Sequence, residues 1–80
     1  KAEVIRRVLR HNGLDARETF YIGDEGRDIK AAKRAGIRIV AVDWGYSSHE
    51  ALERLSPDYL VSQQSKLVEI FSKAQKHQLL

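Results

Sequence analysis

Thr19-Phe20-Tyr21-Ile22-Gly23-Asp24-Glu25-Gly26-Arg27-Asp28 is the stretch on which the fold turns. Four β-prone residues run into a glycine and an acidic turn follows. From Arg27 to Ala35 the apolar residues Ile29, Ala32 and Ala35 recur at helical spacing, with Gly36 as the stop. A strand that leaves through glycine into a helix opens a β-α unit. Upstream, from Ala2 to about Asn12, the residues Ala2, Ile5, Val8 and Leu9 fall on one helical face before Gly13.

Downstream, residues 37–42 are nearly all apolar apart from Arg38, which suits a parallel strand covered on both faces. Asp43-Trp44-Gly45-Tyr46 then reads as a loop. Ser47-Ser48-His49-Glu50 fits the Ser-x-x-Glu capping box for a short helix over Ala51, Leu52 and Leu55, which Ser56-Pro57 ends. Asp58-Tyr59-Leu60-Val61 is a third strand. Ser62 or Ser65 can cap a last helix built on Leu67, Ile70, Phe71 and Ala74.

The order α-β-α-β-α-β-α predicts a three-layer, Rossmann-like α/β unit. Its parallel sheet has three strands joined by right-handed crossovers, with helices on both faces. Three strands make a small sheet. If further strands belong beside the first, that edge is left bare and points to a missing partner.

The totals set the outer bounds. Eighty residues hold one core at most, and the lack of cysteine removes disulfides and thiolate metal sites from consideration. No apolar run has the length of a membrane span and no signal-peptide pattern opens the chain, so the expected location is cytoplasmic and no membrane partner is expected. The net charge of +3 is scattered, its tightest groups being Arg6-Arg7-Arg10 and Lys30-Lys33-Arg34 on helical stretches. Such groups read as solvated faces, and nucleic acid is not an expected partner. A first residue of Lys rather than Met marks a processed chain or a piece of something longer.

Ligands of open α/β sheets gather at the carboxyl ends of the strands, where Asp24 and Asp28 stand. Their spacing can bring both carboxylates to one side, and two such oxygen ligands suit Mg²⁺. Capping of the following helix explains the same pair equally well. Asp24, nearest the strand end, is the better metal candidate; Asp28 is either a second ligand or a first-turn residue that supports Asp24. Lys1 precedes the first helix and, with another strand before it, could pair with a phosphate or neutralise a nucleophilic carboxylate, although on its own an N-terminal Lys reads as a solvated side chain. Trp44 and Tyr46 read first as covering the adjacent helix end and second as flanking a substrate, and Asp43 reads first as a turn residue and second as a contact to the metal site through water. His11, His49 and His77 lack ligand spacing and read as surface or helix-cap residues, and Phe20 and Phe71 read as core.

Taken together, Lys1-Ala2-Glu3-Val4-Ile5 and the string from Tyr21 to Ile37, with its Gly-Asp-x-x-x-Asp-Ile-x-Ala-Ala-x-x-Ala-Gly pattern, resemble the haloacid-dehalogenase-like hydrolases. Val40-Ala41-Val42-Asp43-Trp44-Gly45-Tyr46 and Pro57-Asp58-Tyr59-Leu60 extend the resemblance to the phosphoglycolate-phosphatase-like branch. The resemblance implies an aspartyl nucleophile on an earlier strand, a second Asp two residues on as acid/base, and a Ser or Thr that holds the phosphoryl group. It further implies a charge-compensating Lys, matched by Lys1, and an acidic Mg²⁺ loop, matched by Asp24 and Asp28.

Residues 1–80 hold no Asp-x-Asp-x-Thr, and Asp15, Asp43 and Asp58 stand in other contexts. The chain is therefore expected to be the C-terminal half of such a core domain, without its nucleophile strand or cap. It should need the missing N-terminal half, or another chain, to act on a small phosphorylated metabolite such as phosphoglycolate, and should be inactive alone. The rival expectation is a non-catalytic interaction module that docks through its exposed strand edge, with both acids only capping a helix.

Overall fold

A computed structural model describes residues 2–73 and 78–79. Helix α1 (Ala2–His11) leads through a 3₁₀ turn at Ala16–Glu18 into β1 (Thr19–Gly23), which α2 (Gly26–Ala35) follows. Strand β2 (Arg38–Val42), helix α3 (His49–Glu53), strand β3 (Tyr59–Val61), helix α4 (Gln64–Lys73) and a short β4 (Gln78–Leu79) complete the chain. The α/β alternation is as the sequence implies, within a residue or two at each boundary. Lys1, Ala74 and His77 lie outside the described residues.

All strands pair in parallel, in the order β3-β2-β1-β4. Strand β2 is central and shows why both faces are apolar. Ile39 and Ala41 point to a cluster with Ile5 and Leu9 of α1, Ile29, Ala31 and Ala32 of α2, and Leu52 of α3. Val40 and Val42 point the other way, to Phe20 and Val61, with Leu67 and Ile70 of α4 against them. Side chains two apart on a strand share a face, so one near-continuous apolar run serves both layers. Three helices cover one face and α4 covers the other.

The edge of β1 is not wholly bare. Thr19 and Phe20 pair with Gln78 and Leu79, which adds a fourth strand to the three that the sequence implies. The chain returns beside β1 after α4, and two residues without a strand-like pattern gave no local sign of it.

Two cap assignments shift. Ser48, not Ser47, caps α3, its Oγ accepting Ala51 N–H at 3.2 Å, because Ser47 Oγ instead accepts Gly26 N–H at 3.3 Å. Neither Ser62 nor Ser65 caps α4: Ser65 lies inside the helix, and Ser62 donates its hydroxyl to Asp43. Among the described residues no helix is long and apolar enough to cross a membrane.

Candidate functional site

The carboxyl ends of β1, β2 and β3 lie on one side of the sheet, as parallel pairing requires, and the loops that leave them meet there. Asp24 follows β1 directly. Its Oδ2 accepts the Tyr46 N–H at 3.2 Å and its carbonyl accepts the Ser47 N–H at 2.9 Å, so the loop after β2 is folded onto it. That approach needs glycine: a Cβ at Gly45 would come within 2.6 Å of Asp24 Cγ. Asp24 Oδ1 has no hydrogen-bond donor among the described residues.

Asp28 has a different setting. It is 5% exposed, its Oδ2 accepts the Glu25 N–H at 3.1 Å, and its Oδ1 faces the Tyr21 hydroxyl at 3.4 Å. An acid in the first turn that accepts the amide just before the helix satisfies a donor the helix leaves open, and its charge complements the helix dipole. Gly23 makes room for it, since a Cβ there would meet Asp28 Oδ2 at 2.6 Å. The structure thus brings both acids to the same turn with different amide partners: Asp28 accepts the Glu25 amide within the turn, and Asp24 accepts the Tyr46 amide of the loop after β2.

The donor set is one of hard oxygens, which suits Mg²⁺. Among the described residues no three His, Cys, Asp or Glu side chains converge to hold a metal ion. Asp24 therefore fits as one ligand of an ion that completes its shell with water, a substrate oxygen or residues beyond these.

The remaining aspartates, Asp15, Asp43 and Asp58, are engaged. Asp15 accepts the Arg17 N–H at 2.9 Å and pairs with the Arg17 guanidinium, whose hydrogen bond holds its carboxyl below the usual range. Asp58 Oδ2 accepts the Ile39 N–H at 2.8 Å where β2 begins. Asp43 Oδ2 accepts the Ser62 hydroxyl at 2.5 Å and meets His49 Nδ1 at 2.7 Å. The Ser62 hydroxyl, then His49, hold the Asp43 carboxyl below its ordinary value, and the same carboxylate raises His49 above the usual histidine value. Asp43 and His49 are thus more than turn and cap residues. The signal for one contact was present: Val42 pairs with Val61, which sets residues 43 and 62 side by side.

Tyr46 corrects the expectation that it covers a helix end, for it is 82% exposed, and Trp44 is 45% exposed. Tyr46 borders an open cavity of about 370 Å³ with Glu25, Gly26, Arg27 and Ser47, next to Asp24. Arg27 pairs with Glu25 at its rim. Phe20 is core, whereas Phe71 is only half-buried.

Residues 1–67 match a family model described as HAD-hydrolase-like. A phosphoglycolate phosphatase of Synechococcus elongatus is 32% identical over 69 residues, which are 86% of this chain and 32% of that protein. A pyrophosphatase PpaX of Bacillus velezensis is 32% identical over 68 residues, 85% of this chain and 32% of that protein. Among solved structures, a haloacid dehalogenase-like family hydrolase from Streptococcus pneumoniae superposes with a TM-score of 0.83 at 30% identity, over 89% of this chain and 34% of that one. The chain spans about a third of the length of the curated relatives it matches.

Proposed function

The chain belongs to the haloacid-dehalogenase-like hydrolase family, and from that premise we propose that it is part of a Mg²⁺-dependent phosphatase in which Asp24 is a metal ligand. The observation that carries the reading is the Asp24 carboxylate at the carboxyl end of β1, one oxygen fixed by the Tyr46 amide and the other turned to no described donor. Asp28 serves the same site by holding the turn on which Asp24 stands. When bound, Mg²⁺ would offset charge on a phosphoryl group and orient it. Lys1, ahead of α1, is the proposed charge-compensating residue near the phosphate.

The substrate is a small phosphorylated metabolite, with phosphoglycolate as the first candidate. Relatives named for phosphoglycolate and for pyrophosphate share this same segment. That pattern supports a division of labour in which these residues supply the metal loop and residues elsewhere select the substrate. Residues 1–80 alone should not turn over a phosphoester, because they hold no Asp-x-Asp-x-Thr to supply the nucleophile, its acid/base partner and the phosphate-holding hydroxyl.

The test is hydrolysis of a generic aryl phosphate by the parent protein, in which the native upstream sequence is joined to residues 1–80, with Mg²⁺ and with chelator. Turnover should require the metal. Asp24→Asn should lower kcat/KM by about a hundredfold or more, the scale of removing one electrostatic stabiliser. An unchanged rate in Asp24→Asn refutes the metal-ligand role.

A further inference from the structure

We propose that Asp43 is a positioning residue: held between Ser62 and His49, it closes residues 43–49 into a clasp that seats Tyr46 and Ser47 against Asp24. The argument starts from what the loop lacks. Trp44 and Tyr46, its two large side chains, are 45% and 82% exposed, so little apolar burial holds it down. What holds it is polar. At its inner surface the Tyr46 and Ser47 amides donate to Asp24, and Ser47 Oγ accepts the Gly26 amide. At its two ends stand Asp43 and His49, joined at 2.7 Å.

Asp43 is well placed to be the fixed end. Its backbone N–H donates to the Val61 carbonyl at 3.1 Å and its carboxylate takes the Ser62 hydroxyl at 2.5 Å, so the end of β3 and the residue after it each anchor it once. Its side chain is only 15% exposed. Bonds to an ionised carboxylate are stronger than neutral ones, and they hold a short loop that would otherwise sample many conformations.

Ser62, Asp43 and His49 contain the residue types of a hydrolytic triad, but their order forbids that use. Both Ser62 and His49 meet the same oxygen of Asp43, so the serine proton is given to the carboxylate and not to the imidazole. No activated serine results. The cluster holds; it does not attack.

The charges acting on His49 are Asp43 at the end of β2 and Glu50 and Glu53 on its own helix. All favour the imidazolium. Because His49 titrates above its unfolded value, its contribution is complete at pH below that value and is lost as pH rises through the folded one.

The consequence for catalysis rests on Asp24 being a metal ligand, whereas the clasp itself does not, and the experiment separates them. Amide protection factors of Tyr46 and Ser47 are measured by NMR in the full chain, in Asp43→Ala and in His49→Gln, with Mg²⁺ titrated against the Asp24 amide signal. Asp43→Ala removes both the Ser62 and the His49 contacts and should lower protection of Tyr46 and Ser47 by about tenfold or more, with Ile29 and Ala32 unaffected. Mg²⁺ binding should weaken several-fold in the same variant. In the unaltered chain, loop protection should step down as pH rises through the His49 titration, and His49→Gln should abolish the step, which a merely space-filling role would not produce. Should Asp43→Ala fail to fold, Ser62→Ala and His49→Gln, at exposed positions, decide the matter by the same readout. Unchanged loop protection in these variants overturns the clasp, and a loosened loop with unchanged Mg²⁺ affinity overturns its positioning role. If the unaltered chain shows no Mg²⁺ response, the metal reading of Asp24 fails and the clasp is judged on loop protection and its pH step alone.

Discussion

Alanine substitution should separate the two acids of the β1–α2 turn. Asp28 is buried, and its removal takes away the acceptor of the Glu25 amide at 3.1 Å. A helix-start bond of this type is worth about 1 kcal/mol, and one to a charged group roughly 1.5–3 kcal/mol. The Tyr21 hydroxyl at 3.4 Å is too long to add much. Asp28→Ala should therefore cost roughly 2 kcal/mol, a fall of about 1 M in the urea midpoint. Asp24 is half-buried and its side chain accepts one amide at 3.2 Å. Asp24→Ala should cost less than about 1 kcal/mol of stability, yet abolish Mg²⁺ binding. Urea unfolding followed by circular dichroism, with Mg²⁺ titrated into each folded variant, reads both effects. Equal midpoint shifts for the two variants, or a shift below about 0.5 kcal/mol for Asp28→Ala, would refute the division between a turn-holding acid and a metal-facing one.

Three further outcomes follow from contacts described above. Gly45→Ala should push the loop off Asp24, since the new methyl would meet its carboxylate, and the Tyr46 amide should lose protection in hydrogen exchange while the β2 core does not. Asp58→Ala strands the Ile39 N–H at the start of β2 and should cost about 1–3 kcal/mol in urea unfolding, with Asp58→Asn restoring most of it through the retained side-chain oxygen. Arg38→Leu removes a guanidinium 4.4 Å from the Phe20 ring and its 2.6 Å bond to the Arg17 carbonyl, and should lower thermal stability by roughly 1 kcal/mol.

The alternation of strands and helices was legible because glycines and short apolar runs punctuate it. Gly36 takes a left-handed conformation at φ 76°, as a helix stop should, and the run at 38–42 is buried on both faces as its composition implies. The pair Asp24 and Asp28 was visible too, with Asp24 the better metal candidate and Asp28 left open between second ligand and first-turn support, but the partners of each were not. What separates them is Tyr21 seven residues back and the Tyr46 amide 22 residues on, partners that no local spacing reveals. Ser47 shows the same limit on a smaller scale. Ser47 and Ser48 fit a helix start alike, and a tertiary contact to Gly26 decided between them. The Asp43 cluster spans His49 and Ser62, of which only the second could have been reached, by setting parallel strand ends side by side.

The pairing of β1 with β4 bears on the order in which the sheet assembles. β1 and β2, and β2 and β3, are joined by crossovers of ordinary length, so each finds its neighbour locally. Thr19 and Gln78 stand roughly 60 residues apart, and closing so long a loop for two residue pairs carries the larger entropic cost for the smaller return. The sheet should therefore zip from β1 through β3 before its fourth strand docks. By the same reasoning that strand should be first to detach under mild denaturant, which makes the β1 margin the most readily exchanged seam in the molecule.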